Sequence, residues 1–157
     1  VWGVWCVTCA IELPYLTALS EQGLRVVGLY YDQDLDPDFG IKTITRVRQE
    51  VQQMTNRYGN PFSFNIFDVY RNTSLDLGVT GAPETFLVDK DGVIRVHHLG
   101  DINPRVWRSK FSPVLAKLDA NTEKKIMDLN QSLAPINDLS NSALNNESAM
   151  ASGESNE

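Results

Sequence analysis

The chemistry this 157-residue chain can do is concentrated in two thiols and a few carboxylates. Cys6 and Cys9 are its only cysteines, with Val7 and Thr8 between them. That spacing puts both sulfurs within about one helical turn, close enough to bridge with little backbone movement. The pair lies where a strand-like run, Val1-Trp2-Gly3-Val4-Trp5, gives way to a helical one. Free N–H groups and the helix dipole there favour negative charge, so the first thiol should ionise below its free pKa of about 8.5. A thiolate so placed can attack a disulfide in another molecule. The second thiol then displaces that partner and closes a ring.

Other readings of the pair compete with this one. A C-x-x-C is half of many zinc sites, but a zinc knuckle needs two more ligands. His97 and His98 are the only histidines, and as strand neighbours they point to opposite faces, so at most one could help. A purely structural disulfide closing so short a loop would constrain the unfolded chain little. Redox exchange is the reading favoured, with no metal and with a Cys6–Cys9 redox disulfide in place of a cofactor.

The elements that position the pair can be read from the hydrophobic pattern. A strand over Val1–Trp5 leads into a helix of roughly Val7–Gln22, stopped by Gly23. Leu24–Tyr31 has the composition and length of a buried strand. An Asp-rich loop at 32–38 follows. Ile41, Ile44, Val47, Val51 and Met54 then recur at helical spacing, predicting an amphipathic helix over 41–58 closed by Gly59. Phe64–Phe67 reads as a short strand and 73–77 as one helical turn. Glu84–Asp89, the turn Lys90-Asp91-Gly92 and Val93–Leu99 form the clearest hairpin signal. Asn103-Pro104 opens a last helix to about Leu118. This order predicts an α/β fold whose central sheet is mixed parallel and antiparallel, with helices on both faces.

Two prolines matter within this frame. Pro83, directly before a strand, is either an edge breaker or a cis residue. A cis bond would turn the chain sharply and leave the Thr80–Ala82 backbone open to pair with a substrate peptide. Pro14 lies inside the first helix, five positions after Cys9, where proline should kink or end it.

Charge is unevenly spread. The net value is −6, yet residues 119–157 carry seven acids and two bases, leaving 13 acids and 12 bases to the first 118. Thirteen of those 39 tail residues are Ser or Asn and none is aromatic, so the tail is expected to be disordered and the folded domain to end near residue 118. An acidic overall balance, 14 Lys and Arg against 20 Asp and Glu, argues against nucleic-acid binding through phosphate contacts. No apolar run is long enough to span a membrane. A first residue in mid-strand with no initiator Met reads as a fragment, less stable than a longer form, with any signal peptide or membrane anchor expected upstream.

Trp5-Cys6-x-x-Cys9, Pro14 within the following helix and a Pro ahead of the hairpin strand together resemble a thioredoxin fold. More narrowly, Gly78-Val79-Thr80-Gly81-Ala82-Pro83-Glu84-Thr85-Phe86 and Gly100-Asp101-Ile102-Asn103-Pro104-Arg105-Val106-Trp107 resemble the DsbE/CcmG-type thiol:disulfide interchange proteins of cytochrome c biogenesis. The resemblance implies that Cys6 is the exposed nucleophile, Cys9 the buried resolving thiol and Pro83 the cis-proline. It also implies that Glu12 and Glu84 are acids near the cysteines. A carboxylate so placed raises thiol pKa values and can accept the resolving thiol's proton.

The implied activity is that of a protein-disulfide reductase, periplasmic and anchored to the inner membrane. It would keep the haem-attachment cysteines of apocytochrome c reduced. A membrane thiol-electron carrier of the DsbD/CcdA type would re-reduce it. TlpA/ResA-like reductases with other clients, or a copper carrier of the same fold using Cys6, Cys9 and a histidine, are the alternatives. Two departures from the family pattern stand out. Val7-Thr8 replaces the frequent Pro-Thr, and 32–60 is longer than usual, with the 41–58 helix as insertion that either alters partner choice or decorates a helix face.

Three weaker motifs are set aside. Asp32, Asp34, Asp36 and Asp38 mimic the start of a calcium loop, but position six is Pro37 and position twelve is Thr43. Asn72-Thr73-Ser74 and Asn146-Glu147-Ser148 fit a glycosylation pattern that needs a eukaryotic secretory setting. Arg46, Arg48 and Arg57 read as a solvated helix face.

Overall fold

A computed structural model describes residues 1–35, 38 and 40–120. The expected tail at 119–157 lies, from residue 121 on, outside the described residues. So do Asp36 and Pro37 of the acidic loop.

Helix α1 (Val7–Glu21) starts at Cys6, its N-cap, whose sulfur accepts a hydrogen bond from the Cys9 N–H. Pro14 does not end it. The helix runs on through Glu21 with Pro14 inside it, because Leu13, Leu16 and Leu19 bury the inner face on either side of the lost hydrogen bond. Strand β1 (Val26–Tyr30) pairs in parallel with β2 (Phe62–Phe67). Helix α2 (Ile44–Tyr58) connects them, and the one-turn helix α3 (Asn72–Asp76) follows β2. Strands β3 (Glu84–Val88) and β4 (Ile94–Leu99) form the antiparallel hairpin. Helix α4 (Pro104–Val106), N-capped by Asn103, widens into a π-helical turn at Trp107–Phe111, and 112–120 are helical again. The first compact unit is Val1–Val114. Among the described residues no helix is long and apolar enough to cross a membrane.

Several sequence expectations shift. The strand over Val1–Trp5 shrinks to a bridge between Trp2 and Tyr30, since the chain turns at Gly3, whose carbonyl accepts from the Cys6 N–H at 3.1 Å. Even so, this segment joins the two strand pairs. Trp2 N–H donates to Leu29 O at 3.0 Å and Tyr31 N–H to Trp2 O at 2.9 Å, while Val1 and Glu84 exchange backbone hydrogen bonds at 2.6 and 3.3 Å. Parallel pairing on one side and antiparallel on the other produce the mixed α/β sheet. Helix α2 begins at Ile44 rather than 41, because Thr43 caps it by accepting from the Arg46 N–H. The π turn has no counterpart in the sequence reading. It lets Trp107 and Phe111 stack with centroids 5.6 Å apart.

The acidic loop is not simply solvated. Asp32 is buried and accepts from the Tyr30 hydroxyl at 2.9 Å. Lys42 spans Asp34 and Glu50 at 3.5 and 3.1 Å, tying the loop to α2. Nor does α2 merely decorate the surface. Val47 and Val51 are buried in one core cluster with Trp2, Cys6, Cys9, Leu13, Tyr30 and Leu35. A second cluster, Leu16, Leu19, Ile102 and Phe111, joins α1 to the last helix.

Trp2 ties this architecture together. Its ring stacks on Phe62 at 4.6 Å, meets Tyr30 edge-on at 5.7 Å and donates to Asn65 Oδ1 at 2.9 Å. Gly28 leaves room for that contact, since a Cβ there would collide with Asn65 and the Trp2 indole. Trp2→Ala should therefore lower unfolding free energy by about 3–5 kcal/mol. Urea denaturation checks this, and a loss under about 1 kcal/mol would contradict the role assigned to Trp2.

Candidate active site

Cys6 and Cys9 form a disulfide with Cα atoms 5.2 Å apart at the mouth of α1. Cys6 retains 5% exposure and Cys9 none. The nucleophile and resolving thiol inferred from the resemblance thus differ in exposure only by degree in the oxidised state. Trp5 sits half exposed beside them, held by its indole N–H on Tyr31 O at 2.8 Å.

The peptide bond Ala82–Pro83 is cis. Ala82 packs against the core cluster that contains both cysteines. Pro83 O accepts from the Gly100 N–H at 2.9 Å, where Gly100 has φ 99°, a conformation that suits glycine. The backbone of Thr80–Ala82 is less open than the sequence reading expects. Glu84 Oε1 accepts from the Thr80 and Gly81 N–H groups at 2.7 and 2.8 Å and from the Thr80 hydroxyl at 2.7 Å. A buried carboxylate must be hydrogen-bonded, and these are the nearest donors. What the segment keeps for a partner strand is its carbonyls and the Ala82 N–H.

Sequence reasoning pairs Glu12 and Glu84 as acids of one kind. Both are buried and both border a cavity of about 600 Å3 lined also by Trp2, Leu16 and Ile102. Their protonation nonetheless diverges. Glu12 follows Cys9 by three residues, so the two share the buried face of α1. Burial pushes its pKa up to about 7, only partly offset by the Ile102 N–H that its carboxylate accepts at 2.8 Å. Glu84 is desolvated too, but its donors from Thr80, Gly81 and His97 outweigh burial and hold it below the usual carboxylate range. Glu12 is therefore the group able to exchange a proton near neutrality, and Glu84 a fixed anion.

The partner of Glu84 that sequence reasoning missed is His97, whose Nε2 lies 2.9 Å from Oε2. Its ring lies flat on Phe86, centroids 4.2 Å apart. The signal existed in the register, since Phe86 and His97 are direct cross-strand partners. His98 faces the other way, to Asp101 O and Lys110 Nζ at 3.2 and 3.1 Å. Among the described residues no three metal-ligating side chains cluster.

A disulfide-bonded C-x-x-C pair at a helix N-terminus, with a cis-proline turn packed on the same core cluster and a mixed sheet, defines a thioredoxin-like protein. The Redoxin family model matches residues 1–118, and the chain belongs to that family. It is similar to the thiol:disulfide interchange protein DsbE of Escherichia coli K12, at 44% identity over 117 residues, covering 74% of this chain and 56% of that protein. The Pseudomonas aeruginosa DsbE is 37% identical over 118 residues, 75% and 58% of the two chains. The chain thus spans little more than half the length of these curated relatives. A solved structure from Chlorobium tepidum described as a DsbE shares the fold, with TM-score 0.55 at 23% identity over 74% of this chain and 75% of that one.

Glu12 also makes a prediction about stability. Its native pKa of about 7 exceeds the ordinary 4.5, so between those values the native state holds a proton that the unfolded chain has released. Stability contributed by neutral Glu12 is full below about pH 4.5 and is lost as pH rises to about 7, by on the order of 3 kcal/mol at the limit. Comparing Glu12→Gln with the parent by denaturation at several pH values should show the parent's stability falling relative to the variant over that window. A constant difference would exclude the raised pKa.

Proposed function

We propose that this chain is the catalytic body of a thiol:disulfide oxidoreductase that reduces protein disulfides. The observation that carries this reading is the Cys6–Cys9 disulfide capping α1, with the cis Ala82–Pro83 turn packed on the same core cluster. In the reduced protein the Cys6 thiolate attacks one sulfur of a client disulfide. The client's other sulfur leaves as a thiolate, and a Cys6–client mixed disulfide results. Cys9, giving its proton to Glu12, attacks Cys6 Sγ and releases the second client thiolate. Two electrons pass to the client and the Cys6–Cys9 disulfide remains. The helix N-terminus favours the Cys6 thiolate as attacking and as leaving group.

The proposed clients are the haem-attachment cysteines of apocytochrome c, and the proposed reductant is a membrane thiol-electron carrier of the DsbD/CcdA type. The proposed location is the periplasmic side of the bacterial inner membrane. Support comes from similarity to proteins named DsbE and from the Gly78–Phe86 and Gly100–Trp107 motifs.

Replacing Cys9 by Ser removes the resolving step, so a mixed disulfide on Cys6 should accumulate. With a peptide carrying C-x-x-C-H in its disulfide form, the expected result is a reductant-sensitive adduct by mass spectrometry, absent in Cys6→Ser. Equal trapping of unrelated secreted proteins in competition would overturn the cytochrome assignment. No adduct with any disulfide would overturn the activity itself.

A further inference from the structure

Buried carboxylates in redox sites invite an explanation through thiol pKa, yet the hydrogen bonds of the Glu84 side chain go to Thr80, Gly81 and His97. Oε1 takes three donors from Thr80 and Gly81, and Oε2 faces His97. An ionised carboxylate can only accept, so the Nε2 of His97 carries the hydrogen in this contact. The Glu84 side chain is 2% exposed and His97 38%. The histidine therefore lies between solvent and a buried anion. It has little freedom to leave, because its ring is stacked on Phe86 within 8° of parallel.

We propose that Glu84 and His97 form a positioning pair that sets the shape of the 80–82 segment, and thereby the affinity for polypeptide disulfides. His97 is the new assignment, and the proposal rests on the reading of this segment as the one that pairs with a client. The mechanics follow from the hydrogen bonds. Glu84 draws the Thr80 and Gly81 N–H groups inward, which denies them to a partner strand and leaves the Ala82 N–H to register the client against Pro83. Three donors on one oxygen pull the carboxylate toward the loop, and His97 holds the other oxygen from β4. Without His97 that oxygen must find water. The carboxylate then turns toward solvent, and the Thr80 and Gly81 amides lose their shared acceptor. Neither residue touches the sulfurs in this role. The consequence falls on client binding, not on thiol chemistry.

The test uses the full chain, reduced, with two oxidants. One is a synthetic peptide bridged through C-x-x-C, which needs the 80–82 segment; the other is dithiobisnitrobenzoate, which needs only an accessible thiolate. His97→Ala is expected to raise KM for the peptide about tenfold, the scale of one lost hydrogen bond to a charged group, while kcat moves less than about twofold. The amide hydrogens of Thr80 and Gly81 should exchange with solvent faster in this variant. His97→Gln, whose side-chain amide can still donate, should recover most of the KM loss. Glu84→Ala should raise KM at least as much.

An unchanged KM in His97→Ala, equal losses with peptide and dithiobisnitrobenzoate, or unaltered Thr80 and Gly81 exchange would each overturn the proposal. If the parent reduces dithiobisnitrobenzoate but no peptide, the protein-disulfide reading falls and this inference with it. If the parent saturates with peptide and the variants match it, only the inference falls.

Discussion

Everything around the disulfide depends on two residues hydrogen-bonded on both sides. Trp2 pairs with Leu29 and Tyr31, and Val1 with Glu84, so that these two residues link the two strand pairs. Because Val1 meets the residue after Pro83 and Cys6 follows four residues past Trp2, the same rungs bring the cysteine segment and the cis turn to one core cluster. Backbone pairing of this kind is obligatory once the segment is buried, since unpaired N–H and C=O groups are costly there. Trp2, 2% exposed, ensures that it is buried. The site's geometry is therefore a consequence of sheet pairing, and the loops at its rim inherit their positions from it.

Within that frame the two buried acids show how environment overrides residue type. Glu12 meets one backbone N–H in an apolar setting, and burial dominates. Glu84 meets four donors, and hydrogen bonding dominates. One carboxyl group becomes able to exchange a proton near neutrality, the other stays an ionised anchor for the turn. A count of donors separates them, and donors come from segments far apart in the chain, Ile102 in one case and His97 in the other.

Helix α2 makes a similar point about an apolar face. In sequence it is a helix with a polar outer face, and its periodicity is clear. In the fold, Val47 and Val51 press against the cluster holding both cysteines, and Lys42 and Glu50 fasten the preceding acidic loop. An amphipathic helix must bury its apolar stripe somewhere, and the surface offered here is the back of the redox site. The helix is thus part of the cluster that keeps Cys9 from solvent.

Much of this protein was legible in its residues. The C-x-x-C pair at a strand–helix junction, the hairpin at Glu84–Leu99, the Gly23 stop after α1, the helical period of α2 and the proline before β3 are local signals, set by spacing and backbone chemistry within a few positions. The limits of that reading are also physical. It overextended the first strand, because a turn at Gly3 depends on where the helix must begin. It also left the 80–82 backbone open, because the acceptor that closes it is a side chain oriented from β4. Sequence by itself determined which two thiols stand together at the helix start and roughly which elements carry them. Tertiary structure alone decided which carboxyl keeps a proton, which amides stay free for a partner and what His97 does, since each depends on desolvation and on donors brought together across the sheet.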